Sequence, residues 1–256
     1  MSRKRRSGLT SMRRYGPIGA MMKAAIFAAC AFAASGVVAA ADNALTARER
    51  SEGWILLFDG KTLDGWDSSN PAPPSAASRG KQAKKAPQPG AAPAVGSNPR
   101  ACSESVEVPP GASHWEVRDG VLAPCGDPAG YLSTKTEYRN FVLQVDFRTG
   151  GDTNSGIFIR SPEGIQGYEV QIWRSQPAGY NTGSIVGTAK TGRDYHFIAD
   201  AWNHYEITAD GDHLIVVLNG AKTVDTHDAR FADGHIRLQY QKYPIEFKNI
   251  KLKLLK

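Results

Sequence analysis

Three residues of this chain, Asp146, Arg160 and Glu169, have side chains able to drive chemistry on a bound organic ligand. A carboxylate can move a proton, and a guanidinium can hold a negative charge that develops during reaction. Each stands on the polar side of a segment that alternates apolar and polar residues. In Phe141–Arg148, Phe141, Leu143, Val145 and Phe147 face one way, and Gln144, Asp146 and Arg148 face the other. In Tyr168–Trp173, Glu169, Gln171 and Trp173 oppose Tyr168, Val170 and Ile172. Arg160 ends the segment Ile157–Arg160, and Gln239 lies on the polar side of a later one. The loop Gly150–Gly156 leads into the Arg160 segment and offers Asn154 and Ser155 as hydrogen-bonding groups. Amides, carboxylates, a guanidinium and an indole that can stack on a sugar ring suit a polyhydroxylated ligand. The solvent side of any sandwich, with its cross-strand Arg–Glu pairs, has a similar composition. Composition alone leaves both readings open.

Other chemistries lack their motifs. There is no Gly-x-Ser-x-Gly for a serine nucleophile. Gly183–Thr191 imitates a phosphate loop, but Ala189 stands where the last glycine must be and no helix follows. The six histidines show neither His-x-x-x-His nor His-Glu-x-x-His spacing, so no zinc site is expected from local sequence. No cofactor is expected. A divalent ion held by residues from distant strands stays open.

The elements that must position these residues are short strands. Besides the three segments above, Asn203–Thr208, His235–Tyr240 and Phe247–Leu254 read as strands. Leu214–Leu218 and Lys222–Thr226 flank Asn219-Gly220, the signature of a type I′ hairpin, and Asp210-Gly211 marks another turn. A helical turn is expected at Thr46–Glu52. The class is therefore all-β, a sandwich.

Composition bounds the rest. The 256 residues carry a net charge of +6. The first 41 hold seven of the 31 bases and no acid, followed within them by an apolar run, Ala24–Ala34, and a small-residue stretch. That is the pattern of a signal peptide, with cleavage expected after Ala41 and a periplasmic or secreted destination. The run is too short for a transmembrane segment, and the remaining 24 bases and 25 acids give no cationic footprint for nucleic acid. Residues 42–52 form a lead-in, and Gly53–Lys256 one domain. Ser68–Ala101, with seven Pro and nine Ala, reads as a disordered insertion within it. Cys102 and Cys125 are the cysteines left after cleavage, and an oxidising compartment favours their pairing as a disulfide.

A series of motifs resembles the 3-keto-disaccharide hydrolase domain of exported bacterial proteins. In order they are Leu57-Phe-Asp-Gly-Lys-Thr-Leu-Asp-Gly-Trp66, Trp115-Glu-Val-Arg-Asp-Gly-Val-Leu122, Tyr131-Leu-Ser-Thr-Lys-Thr-Glu-Tyr138, Asn154-Ser-Gly-Ile-Phe-Ile-Arg160, Gly167-Tyr-Glu-Val-Gln-Ile172, Trp202-Asn-His-Tyr-Glu-Ile207, Leu218-Asn-Gly220 and Ile245-Glu-Phe-Lys-Asn-Ile250. No one of them is specific; their order is. The resemblance spans nearly all of Gly53–Lys256 outside the insertion.

The resemblance implies a concanavalin-like jelly-roll β-sandwich with a concave ligand-binding sheet. It also implies cleavage of glycosides already oxidised to a ketone at C3. The ketone acidifies the C2 proton, a base removes it, the enolate expels the C1 substituent, and water adds to the enone. On that footing Glu169 is the expected acid or base, with Arg160 and Asn154 on the keto sugar and Arg160 at the enolate. Asp146 is a second carboxylate or an orienter of Arg160. Gln171, Gln239 and Gln144 would bind hydroxyls, Trp173 would stack, and Lys135 would sit at the rim. The expected ligand is a small carbohydrate, the 3-keto-glycoside. One departure stands out: Gln241 occupies the position where family members often carry His. A non-catalytic sugar-binding module and a conventional two-carboxylate glycosidase remain as alternatives. The second requires Asp146 and Glu169 about 5–9.5 Å apart.

Overall fold

Alternation in the sequence becomes two antiparallel sheets in a computed structural model of the chain, which describes residues 41–68, 114–125, 130–151, 153–164, 167–192, 195, 197–241 and 244–256. The strands are β1 (Trp54–Leu56), β2 (Trp66–Asp67), β3 (His114–Arg118), β4 (Val121–Cys125), β5 (Gly130–Thr134), β6 (Phe141–Thr149), β7 (Ser155–Ser161), β8 (Tyr168–Ile172), β9 (Asn203–Asp210), β10 (His213–Leu218), β11 (Ala221–His227), β12 (His235–Tyr240) and β13 (Ile245–Leu254). The larger sheet runs β11-β10-β9-β6-β13-β4-β3, with β1 also on β13. The smaller runs β2-β5-β12-β7-β8. The arrangement is the expected concanavalin-like sandwich, and the described residues belong to one unit, Ala39–Lys256.

The apolar sides of both sheets form one core. Phe141, Leu143, Val145 and Phe147 of β6 meet it from the larger sheet, and Ile157, Ile159, Val170, Ile172, Ile236 and Leu238 from the smaller. Burial of such side chains is the main favourable term in folding. The strands of the larger sheet keep their polar sides part-open: β6 alternates buried and intermediate along its length. Those of the smaller sheet are more covered, with only Asp67, Glu169 and His235 of its strand residues part-open. Every residue of β5 and β7 is buried, polar ones included.

Local chemistry sets the ends. Thr46 caps α1 (Ala47–Ser51), accepting from the Glu49 N–H while the Glu49 carboxylate accepts from the Thr46 N–H, a capping box where the helical turn was expected. Asn219 and Gly220 both take positive φ (49° and 80°), as a type I′ turn between β10 and β11 requires. The opening motif proves structural: the Trp66 indole donates to the Leu57 carbonyl, and Asp59 accepts from the N–H groups of Lys61 and Thr62.

One irregularity bears on the site. On β7 two residues separate the partners of Arg237 and His235, where β12 has one. The extra residue is a β-bulge, and Arg160 sits in it at φ 47°. The backbone there is closely approached. A Cβ on Gly167 would lie 2.4 Å from the Ile159 carbonyl oxygen, and one on Gly234 would lie 2.6 Å from the Ser161 backbone carbon. The insertion 68–101, apart from Ser68, and Cys102 lie outside the described residues; Cys125 is wholly buried at the end of β4. Among the described residues no helix is long and apolar enough to cross a membrane.

Candidate active site

The outward side of the smaller sheet is polar, and register builds it row by row. Asp67 pairs with Ser133, Ser133 with Arg237, Arg237 with Phe158, and Phe158 with Glu169. These five therefore lie in one row across five strands. The next row holds Tyr131 paired with Gln239, and Gly156 paired with Gln171. Continuing the alternation past the strand ends brings up Gln241, Asn154 and Trp173. The Asn154 amide donates to Gln241 Oε1 over 2.9 Å, which closes that third row.

Glu169 has the properties of an acid or base. Its strand places it opposite the core residues Tyr168 and Val170, on the outward side of the sheet, where it is half-buried among its neighbours. Burial pushes it up from the ordinary carboxylate value to about 7. No hydrogen bond or ion pair holds it among the described residues. A proton carrier poised near neutrality and uncommitted to a partner is what general acid–base catalysis needs. Its direction is set by a missing side chain: a Cβ on Gly156 would lie 3.1 Å from both Glu169 Cγ and Oε1. The carboxyl thus leans over Gly156, toward the rows that hold Gln171, Gln239 and Asn154.

The neighbours carry uncommitted polar atoms. Gln239 donates to the Tyr131 hydroxyl over 3.1 Å, while its Oε1 is buried with no partner. Ser133 Oγ and Arg237 Nε are buried and likewise unpartnered. Buried polar groups are nearly always satisfied, so these three atoms leave two donors and one acceptor on this face available to a polar ligand. Tyr131 and Phe158 pack edge to face at 5.1 Å and form the apolar floor between them. Gln171 spends its Oε1 on the N–H of Ile172.

Of the expected site residues, Glu169, Gln171, Gln239, Asn154 and Trp173 share this face. Trp173 is partly buried just past β8, where its carbonyl accepts from Thr182. Lys135, exposed beyond Ser133, lies past the end of β5, with its backbone N–H on the Gly65 carbonyl. Three expectations are corrected. Asp146 and Gln144 belong to β6 of the larger sheet, so they stand on the opposite outer side of the sandwich. There Asp146 accepts from Asn249 (2.7 Å) and pairs with His204 (2.6 Å), and Gln144 donates to Glu206 (2.9 Å). Arg160 is also removed from the site. The bulge takes it out of alternation, and its guanidinium donates to the carbonyls of Arg139, Gly211 and Phe231 and to Asn140 Oδ1. It ties three loops together.

The residues the sequence reading missed are Arg237, Ser133, Tyr131 and Gly156. Arg237 was within reach: it stands two before Gln239 in a strand whose alternate residues are Ile236 and Leu238. Among the described residues no cluster of three or more His, Cys, Asp or Glu could hold a metal ion.

Comparison with known proteins places the chain. A crystal structure of a candidate glycosyl hydrolase from Parabacteroides distasonis superposes with a TM-score of 0.60 at 19% identity, covering 84% of this chain and all of that one. A second from the same organism gives 0.50 at 26% identity over 56% of this chain and 90% of the other. None of the curated proteins compared with the chain matches it. The sequence model of the 3-keto-alpha-glucoside-1,2-lyase-like domain matches residues 53–253, and the chain belongs to that family.

Proposed function

We propose that this protein is an exported enzyme that cleaves 3-keto-glycosides by elimination and hydration, with Glu169 as the proton carrier. The carrying observation is the Glu169 carboxyl, pushed up to about 7 and leaning over Gly156, on the face that also holds the unpartnered Gln239 Oε1. With the keto sugar over Gly156, Glu169 takes the C2 proton and the electrons pass to the C3 oxygen. The enolate collapses, a C1–C2 double bond forms, and the C1–O bond to the leaving group breaks. That group takes from Glu169 the proton removed from C2. Water then adds at C1 and a proton returns to C2, giving the free 3-keto sugar. The amides of Gln239 and Asn154 are suited to sugar hydroxyls. Membership of a lyase-like family and the glycosyl hydrolase names of both structural neighbours support this reading. The basic, apolar, small-residue start of the chain supports export.

A two-carboxylate glycosidase fits poorly. Asp146 faces away on the other sheet. Asp67 shares the row with Glu169 but stands four strand spacings off, about 19 Å at roughly 4.8 Å each, beyond the ~9.5 Å limit for such a pair. A non-catalytic sugar-binding relative has one observation in its favour: Gln241, bonded to Asn154 where family members often carry His, cannot move a proton.

The test offers the purified protein 3-keto-trehalose, a 3-keto-β-glucoside and the matching unoxidised sugars, with and without chelator. Release of 3-keto-glucose from the oxidised set alone is the expected result. Cleavage of the unoxidised sugars would overturn the reading. Binding of the oxidised sugars without turnover would favour the sugar-binding relative.

A further inference from the structure

Arg237 lies on this face, and nothing in the reaction above employs it. It is 2% exposed, at the centre of the row, between Ser133 and Phe158. Among the described residues its guanidinium makes one hydrogen bond, from Nη2 to the Pro162 carbonyl at 2.9 Å, and its Nε has no partner. No carboxylate reaches it at ion-pair distance among the described residues. Glu163 acts on it only through space, and Asp67 lies two strand spacings away behind Ser133, about 10 Å.

Arg160 and Arg237 are both buried without an ion pair, but Arg160 spends Nε, Nη1 and Nη2 on acceptors, as a structural arginine should. Arg237 does not. A buried cation with neither counter-charge nor a full set of acceptors is expensive, and it persists when something else supplies the missing anion. Ser133 Oγ, also unpartnered, belongs to the residue paired with Arg237 across the sheet, so the two donors stand on neighbouring strands in one row.

We infer that Arg237 and Ser133 bind a carboxylate carried by the substrate, which makes the preferred substrate an acidic 3-keto-glycoside. A carboxylate oxygen accepts from Arg237 Nε and another from the Ser133 hydroxyl, while Gln239 Oε1 takes a sugar hydroxyl in the next row. A permanent anion is favoured over the transient enolate, because only a permanent one neutralises Arg237 in the ground state. The planar donor fork of arginine matches a carboxylate. The inference rests on the sugar reading above and narrows its substrate class.

Binding without turnover tests it. Methyl β-glucoside, methyl β-glucuronide and 4-carboxyphenyl β-glucoside, all unoxidised, are titrated calorimetrically into the wild-type protein. At least tenfold tighter binding of one acid over the neutral glycoside is expected, and which acid it is says whether the carboxylate sits on the sugar or the leaving group. Arg237→Gln should bring that ratio near one, and Arg237→Lys should keep part of it. Equal binding of all three overturns the inference while leaving the sugar reading intact. Binding of none also overturns the inference, and the sugar reading is then decided by whether the oxidised glycosides are cleaved.

Discussion

Replacing Glu169 by Gln should stabilise the protein in alkaline solution while abolishing its activity. The carboxyl has an ordinary value of 4.5 and stands at about 7 in the folded chain, because burial disfavours the charged form. Below pH 4.5 it is neutral whether folded or unfolded and contributes nothing. As pH rises from 4.5 to about 7 the unfolded chain ionises this group while the folded chain does not, so stability is lost, and the loss levels off once the folded carboxyl ionises too. The rise from 4.5 to about 7 amounts to about 3 kcal/mol above pH 8, at about 1.36 kcal/mol for each tenfold change in the ionisation constant. Glutamine is neutral at every pH and avoids the loss. For a domain of this size about 3 kcal/mol corresponds to a rise in Tm of roughly 6–12 °C. Thermal melts of wild type and Glu169→Gln at pH 4.5 and pH 8.5 read it directly. The variant should melt well above wild type at pH 8.5 and close to it at pH 4.5. The same substitution should lower turnover of a 3-keto-glycoside at least about a hundredfold, and wild-type activity should rise with pH through about 7. A Tm difference that does not change between the two pH values would refute the desolvated carboxyl. Unchanged turnover would remove Glu169 from the mechanism.

Other consequences follow from the same geometry. Gly156→Ala places a methyl 3.1 Å from Glu169 Cγ and Oε1, so it should push the carboxyl aside and cut kcat about tenfold or more with a normal far-ultraviolet spectrum. Asp146→Asn should leave turnover within about twofold of wild type, since Asp146 is on the other sheet; a large loss measured by the same assay would contradict the assignment. Arg160→Met leaves three loop carbonyls without their donor and should cost on the order of 3 kcal/mol or more in urea unfolding, at about 1–3 kcal/mol for each orphaned group. Mass spectrometry of the non-reduced protein should find Cys102 and Cys125 in one cross-linked peptide.

The sequence carried the fold well because strand alternation is a local property. Phe141–Thr149 shows its period of two to the eye, and the Asn219-Gly220 turn is dictated by the two positive φ values it must adopt. The candidate site was legible in part. Alternation says that Asp146 and Glu169 both point away from a core, but not that their strands belong to different sheets; only long-range pairing decides that. Arg160 misled for another reason. A single extra residue in β7 reverses the side on which everything after it projects, and a bulge inside Ile-Phe-Ile-Arg-Ser has no signature in composition. Gly156 was legible only as a turn glycine. Its role over Glu169 depends on the register of β7 against β8.

The most direct test of the elimination mechanism is to run the cleavage in deuterium oxide and follow C2 of the released 3-keto sugar at early times. Removal of the C2 proton and its later return from solvent require deuterium at C2 in every product molecule, ahead of the background exchange measured on 3-keto-glucose alone. Glu169→Gln should lose cleavage and incorporation together. A product that keeps its original hydrogen at C2 while the glycosidic bond is cut at full rate would contradict the account.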